Sequence, residues 1–168
     1  MPMVEDHKSM AESLQRFTRK VDLFFTDFLA SSGLTGPRSW VVPHGFHVSY
    51  VSNDIWLLVL SASPPEDVFD VRFGPKEYLR EPYDNVGWSI GIVDYSYVGY
   101  FSLRSVLKRL NPEMSRTVEN TFRLKWWQTW FFVPKTWEED CLAMLLKGCK
   151  ALDPAVWNGD FSSLQGIT

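Results

Sequence analysis

The sequence predicts an α+β fold, in which an antiparallel sheet of four to five strands, connected as a meander, packs against an N-terminal helix and a C-terminal helix. Two patterns predict it. Apolar residues recur at helical spacing near both ends of the chain, and the segments between them alternate apolar and polar residues with short turns. The 168 residues fit a single domain, residues 1–168.

The first helix is predicted from a stripe of apolar residues at spacings of three and four: Met10, Leu14, Phe17, Val21, Phe24 and Phe28. Charged residues such as Arg16 and Asp22 occupy the other faces. Gly33 suits the C-terminus of a helix, and Pro37 cannot easily continue one. We therefore expect a helix over about residues 6–32, packed on the sheet.

Four strands are predicted over about residues 46–52, 55–61, 68–74 and 87–97. The second of them is apolar from Ile55 to Leu60, which suits a central strand. In the third, Asp70 and Arg72 alternate with apolar residues, so we expect both on a face in contact with water.

The second half of the chain is expected to cover the sheet face that the first helix leaves open. Ser102 suits the N-cap of a short helix over about residues 102–110. Residues 121–133 fit a strand or a helix, and their aromatic content favours a strand. Thr136 and Glu139 form the pattern of a capping box, which predicts a last helix over about residues 137–150.

Composition excludes some classes of protein. Hydrophobic residues make up 45% of the chain and charged residues 22%, which excludes a disordered chain. No apolar run reaches the roughly 18–20 residues of a membrane span, and the first ten residues are polar and acidic rather than typical of a signal peptide. These features predict a cytoplasmic protein with no membrane partner.

The two cysteines predict free thiols. Cys141 and Cys149 lie in the same predicted helix, where a rise of 1.5 Å per residue separates their Cα atoms by about 12 Å. That distance is too long for a disulfide bond. Free thiols suit a reducing compartment.

Charge is distributed unevenly along the chain. Residues 54–94 hold eight acidic and three basic side chains, whereas residues 104–135 hold seven basic and two acidic ones. We expect these segments largely to neutralise each other in the folded chain; the alternative is that their field steers a partner.

The sequence contains no complete motif for binding a metal ion or a nucleotide. His44 and His47 have a metal-ligand spacing, but positions three apart in a strand point to opposite faces. The glycine patterns of nucleotide sites do not occur. We therefore predict no catalytic residues, no metal and no cofactor, and a protein that is not an enzyme.

Residues 122–127 interleave cations with aromatic side chains, as single-stranded nucleic acid binding requires. The same alternation fits a strand with one face in the core, and the chain as a whole is acidic. The sequence therefore does not favour a nucleic acid partner.

Tyrosine, serine and glycine are concentrated in residues 94–100, a composition favoured in protein-recognition loops. The alternative is that this segment extends the fourth strand. With nearby acidic residues it predicts an acidic, tyrosine-rimmed surface for a basic protein partner. Its contact residues are Asp70, Asp84, Asp94, Tyr95, Tyr97 and Tyr100.

The order of elements resembles that of small uncharacterised bacterial α+β proteins, some of which accompany polymorphic toxins as immunity-type proteins. The resemblance lies in the first helix and in the segments YVSNDIWL at 50–57, FDVRFG at 69–74, SLRSVL at 102–107, CLAMLLKG at 141–148 and DPAVW at 153–157. It implies a bacterial protein that binds a protein partner without catalysis, with a cognate toxin domain as that partner.

The sequence thus leads to two functional hypotheses. The first is an immunity-type inhibitor that binds and neutralises a bacterial toxin domain, as in a toxin-antitoxin pair. The alternative is a small-molecule-binding protein or enzyme with an aromatic pocket between sheet and helices, lined by Trp88, Trp126 and Trp130.

Overall fold

A computed structural model describes residues 3–42, 45–62, 69–78, 100–123 and 135–166 of the chain. These residues form four α-helices and five β-strands in the order α1 (Met3–Ser31), β1 (Thr35–Val42), β2 (Gly45–Val51), β3 (Ile55–Ala62), β4 (Asp70–Pro75), β5 (Phe101–Ser102), α2 (Leu103–Leu110), α3 (Pro112–Phe122) and α4 (Trp137–Ala151). Short 3₁₀ helices follow β4 and α4, at Lys76–Tyr78, Pro154–Asn158 and Ser162–Leu164.

The five strands form one antiparallel sheet in the order β1-β2-β3-β4-β5. The predicted α+β class and the meander are therefore confirmed, and β3 is the central strand. The predicted strand at 87–97 lies outside the described residues.

Two strands differ from the prediction. β1 was not expected, because its first residues are polar and exposed and Gly36-Pro37 is typical of a turn. β5 is only two residues long, and it is defined by the pairing of Ser102 with Arg72 and of Phe101 with Phe73 on β4. Neither strand has a local pattern of its own, since each depends on a neighbouring strand.

One face of the sheet packs against α1 and α4, as predicted. From α1 this core takes Phe17, Val21, Phe25 and Phe28. The buried stripe is rotated from the expected one, because Phe25 is fully buried whereas Met10 is 47% exposed. A helix of 3.6 residues per turn drifts away from a strict alternation of three and four over several turns.

Trp157 connects three elements of this core. Its ring lies 5.0 Å from the ring of Phe28 on α1 and 4.9 Å from that of Phe73 on β4. Its Nε1 donates a hydrogen bond of 3.2 Å to the carbonyl of Cys149 on α4. The contact with Phe28 is edge-to-face, a geometry that stabilises a core beyond the area that it buries.

The opposite face of the sheet is also apolar at its centre. Trp56, Leu58 and Leu60 of β3 are at most 4% exposed, and they cluster with Trp40 of β1. Since Ile55, Leu57 and Val59 lie in the first core, β3 is buried on both faces.

Two short helices follow β5. Ser102 caps α2 as predicted, since its side chain accepts a hydrogen bond from the amide of Ser105. α3 was not predicted; it begins directly after Asn111, whose side chain caps it through the amide of Met114, and Pro112 stands at its first position. Asn111-Pro112 thus ends one helix and begins another, which proline at a first helical position favours.

The capping box expected at the start of α4 is wrong. The side chain of Thr136 makes no capping hydrogen bond. Lys20 of α1 lies 3.0 Å from a carboxylate oxygen of Glu138 and 3.0 Å from one of Glu139, so these acids connect α4 to α1. The helix itself is confirmed, at Trp137–Ala151.

Cys141 and Cys149 are both buried and neither forms a disulfide bond, as the helical spacing predicts. Within the part of the chain that the structure describes, no helix combines the length and the apolar character that crossing a membrane requires.

Replacement of Phe73 tests the packing of the first core. Phe73 is fully buried, and its ring lies 5.7 Å from that of Phe101 and 4.9 Å from that of Trp157. We expect Phe73→Ala to lower the free energy of unfolding by about 3–5 kcal/mol, because the cavity would be lined by large side chains that cannot collapse into it. Urea denaturation at pH 7 measures this loss.

The control is Leu23→Ala, at a position of α1 that is 76% exposed. We expect a change within about 0.5 kcal/mol there. Similar losses for both variants would contradict the described core.

Candidate functional site

Two of the residues predicted for partner binding, Asp70 and Tyr100, are described by the structure. The others lie outside the described residues, as do the three tryptophans of the alternative pocket: Asp84, Asp94, Tyr95, Tyr97, Trp88, Trp126 and Trp130.

Tyr100 is half-buried against the second face of the sheet. Its ring lies 6.3 Å from the ring of Trp56, and the guanidinium carbon of Arg72 lies 5.2 Å from the centre of the Tyr100 ring. This cation–π contact occupies one face of the tyrosine.

Asp70 is 4% exposed, whereas the sequence analysis expected it in water and on the contact surface. Its Oδ1 accepts hydrogen bonds from the amides of Val71 at 2.9 Å and Arg104 at 3.3 Å, and its Oδ2 accepts one of 2.5 Å from the hydroxyl of Ser102. Alternation along a strand identifies a polar face but does not reveal whether a helix terminus covers it. Here the beginning of α2 covers Asp70.

Burial raises the pKa of the Asp70 carboxyl above its usual value, against the opposing effect of the hydrogen bonds from Ser102 and Arg104. A carboxylate at a helix N-terminus accepts amide protons that the helix leaves unpaired. Asp70 therefore connects the start of β4 to the start of α2, and its role in the described structure is to hold these elements together.

Arg104 connects α2 to α3. Its Nε and one terminal nitrogen donate to the two carboxylate oxygens of Glu119 at 2.8 and 2.6 Å. The guanidinium carbon lies 5.0 Å from the centre of the Phe122 ring, and the other terminal nitrogen donates to the carbonyl of Phe69 at 3.3 Å. A two-pronged Arg–carboxylate pair fixes the orientation of both side chains.

An open groove of about 840 Å³ lies along α2 and α3. Its walls are mainly polar or charged, with contributions from β4, from both helices and from the residues at their ends: Asp70, Ser102, Arg104, Ser105, Lys108, Pro112, Ser115, Arg116, Glu119, Asn120 and Arg123. Its volume is in the range of roughly 300–1,000 Å³ that ligand pockets span.

The groove has an excess of positive charge. Among the described lining residues, four cationic side chains stand against the carboxyl groups of Asp70 and Glu119, and Arg104 and Glu119 pair with each other. The remaining three cations, Lys108, Arg116 and Arg123, are exposed and form no ion pair with any residue in the described ranges.

The spacing of these cations follows from the helices. Arg116, Asn120 and Arg123 recur at positions i, i+4 and i+7, which brings them to one side of α3 and its C-cap. At 1.5 Å per residue, Arg116 and Arg123 are about 10 Å apart along the axis. Lys108 extends the positive charge onto α2.

Sequence reasoning missed this groove as a site, although the excess of basic residues in 104–135 is its signal. Arg104 pairs with Glu119 of its own basic segment and not with a described acidic side chain of residues 54–94, and the three other cations of the groove form no ion pair within the described part of the chain. Tertiary contacts decide which charged side chains pair, and a count of charges along the sequence does not reveal those contacts.

His47 is a second polar residue of interest, on the same side of the sheet as Trp40. Its ring lies 5.5 Å from the Trp40 ring, and its buried Nδ1 has no hydrogen-bond partner among the described residues. Burial, with a smaller effect of Arg72, lowers the pKa of His47 to about 4, so the ring is neutral at pH 7. In the described ranges, no three His, Cys, Asp or Glu side chains come together as ligands for a metal ion.

No family model matches this chain, and comparisons with curated proteins and with solved structures find no match.

Substitutions of Asp70 test its bridging role. Asp70→Ala removes the acceptor of two backbone amides, so we expect the free energy of unfolding to fall by about 2–3 kcal/mol. Asp70→Asn is the matched control, because its amide oxygen can accept from both backbone amides while its NH₂ donates to Ser102. We expect the Asn variant to remain within about 1 kcal/mol of the native protein in urea denaturation. Equal stability of the two variants would contradict the bridge.

The pKa of His47 predicts a dependence of stability on pH. The folded pKa of about 4 lies below the unfolded value of 6.5, so the unfolded chain binds the proton first as the pH falls. The stability due to neutral His47 is therefore complete above pH 6.5 and is lost as the pH falls towards 4. Between pH 7 and pH 4.5 we expect the native protein to lose about 2–3 kcal/mol more than His47→Phe does.

Urea denaturation at a series of pH values measures this difference, and comparison with the variant removes contributions of Asp70. Ser49→Ala, on the same strand, should keep the native dependence. Parallel stability curves for His47→Phe and the native protein would contradict the pKa of His47.

Proposed function

We propose that this protein is a non-enzymatic protein-interaction module that contacts its partner through the groove between α2 and α3. In the immunity-type role that the resemblance implies, the partner is a bacterial toxin domain, and occupation of its surface neutralises it. The observation that carries the proposal is the set of three exposed cations, Lys108, Arg116 and Arg123, on helices that a buried carboxylate and an Arg–Glu pair hold in place.

The lining of the groove favours binding over catalysis. The Ser102 hydroxyl and the Arg104 amide donate to the Asp70 carboxylate, and the Arg104 guanidinium donates to the Glu119 carboxylate. No histidine or cysteine is among the described lining residues, so the usual general base for a serine hydroxyl is missing from that part of the wall. Fixed donors on a scaffold are what a binding surface requires.

The groove has the opposite sign to the acidic, tyrosine-rimmed surface that the sequence predicts. Most of that predicted surface lies outside the described residues, so it stays a prediction. The groove is an independent contact surface, and its charge favours a partner with an acidic contact face.

Site-specific cross-linking tests the proposal. Asn120 is exposed and lines the groove, whereas Lys147 is exposed on α4 and does not. A photoreactive amino acid at position 120, introduced in the native host, should capture a defined protein that mass spectrometry identifies. The same group at position 147 is the matched control and should not capture it.

Binding of the purified partner then gives the quantitative prediction. Three exposed charge pairs contribute about 0.5–1 kcal/mol each, so Lys108→Ala, Arg116→Ala and Arg123→Ala together should weaken the affinity at least tenfold. Isothermal titration calorimetry measures the affinity, and circular dichroism checks the fold of the variant. Equal capture from positions 120 and 147, or an unchanged affinity, would contradict the proposed contact. Inhibition of the partner's activity by the native chain tests the immunity-type role.

A further inference from the structure

The chemistry of the groove also indicates what part of a partner it holds. We propose that it binds an acidic polypeptide segment, whose carboxylates pair with Lys108, Arg116 and Arg123. This inference rests on the proposed function and names the class of ligand at the same site.

The first argument is the distribution of the positive charge. Arg116 and Arg123 are about 10 Å apart along α3, and Lys108 lies on the opposite helix. A site for one small anion brings its donors together around one point, whereas this arrangement spaces them along a groove of about 840 Å³. Several anionic groups carried on one chain match it better than a single ion.

The second argument is the type of cation. Lys108, Arg116 and Arg123 form no ion pair with the described residues, and two of these three cations are guanidinium groups, whose planar donors match a carboxylate in a two-pronged geometry. The groove already contains such a pair, because Arg104 binds both oxygens of Glu119 at 2.8 and 2.6 Å. An incoming carboxylate would repeat at Arg116 and Arg123 the contact that Arg104 makes internally.

The third argument is the presence of acceptors beside the cations. Glu119 lies between Arg116 and Arg123 in the sequence of α3, its side chain is 44% exposed, and the amide of Asn120 stands next to it. A polypeptide carries an N–H donor at nearly every residue and can satisfy these oxygens. The phosphodiester backbone of DNA carries no such donor for these acceptors.

The fourth argument concerns aromatic residues. Proteins that bind single-stranded nucleic acids stack the bases on aromatic side chains. No aromatic residue is among the described lining residues. The described wall of the groove therefore offers cationic partners for carboxylates and no surface on which bases can stack.

Defined probes test this class of ligand on the full chain. The probe is a fluorescein-labelled peptide of five alternating glutamate and glycine pairs, measured by fluorescence anisotropy at 20 mM salt. We expect Lys108→Gln, Arg116→Gln and Arg123→Gln together to weaken its binding at least tenfold. The matched control, Lys8→Gln, Arg19→Gln and Lys147→Gln, removes the same charge at exposed positions outside the groove and should change the affinity less than twofold.

Charge reversal makes the test independent of overall stability. The variant Lys108→Glu, Arg116→Glu and Arg123→Glu should lose the glutamate peptide and bind a peptide of five alternating lysine and glycine pairs. A variant that had merely unfolded would show no such exchange of preference.

The inference would be overturned if the glutamate peptide did not bind, or if the groove variant and the control variant weakened its binding equally. It would also be overturned if a labelled ten-nucleotide single-stranded DNA bound the groove more tightly than the peptide. Inorganic phosphate, added at the concentration of the peptide, should raise the apparent dissociation constant of the peptide less than twofold. Complete displacement of the peptide would indicate a site for single anions and would contradict the inference. If cross-linking from position 120 succeeds while the peptide fails, the proposed function stands and only the ligand class falls. If the peptide binds but no partner is captured, the ligand class stands and the proposed function falls.

Discussion

The buried carboxylate of Asp70 is the contact on which the second half of the described structure depends. It accepts hydrogen bonds from the amide of Arg104 and the hydroxyl of Ser102, and thereby fixes the start of α2 against β4. β5 is only two residues long and pairs with β4 at two positions, so a strand of this length gives α2 little orientation by itself. On its other side α2 packs closely on α4, where a Cβ added to Gly148 would lie 2.9 Å from a methyl group of Leu107. α2 is thus held by a polar contact at its start and by apolar packing along its length.

From this fixed helix the position of α3 follows. Asn111 separates the two helices and caps the second, and the pair of Arg104 with Glu119 links them across the groove. An exposed ion pair adds little to stability, but this one is partly buried, has two hydrogen bonds and lies on the ring of Phe122. Its main consequence is geometric, because it limits how far the walls of the groove can move apart.

The elements that the sequence predicts well are those whose pattern is local. The stripe of α1, the apolar run of β3 and the serine cap of α2 each contain their own signal within a few residues. β1 and β5 are defined by pairing with β2 and with the more distant β4, and α3 begins at Pro112, a residue type that equally marks the end of a helix. The same limit applies to the site. Asp70 has the spacing of a polar residue on a solvent-exposed strand face. Only its contact with the start of α2, more than thirty positions further along the chain, shows that it is buried.

Exposed cations by themselves carry little information about function, since water solvates them at small cost and most protein surfaces have them. Lys108, Arg116 and Arg123 differ from most exposed cations because they lie on elements that other contacts hold in fixed positions. Binding a flexible surface costs the free energy of ordering it, and a groove whose walls are already joined by Arg104, Glu119 and Asp70 has little of that cost left. The hydrogen bonds that make Arg104, Glu119 and Asp70 poor candidates for catalysis therefore also make Lys108, Arg116 and Arg123, which form no ion pair with the described residues, good candidates for recognition.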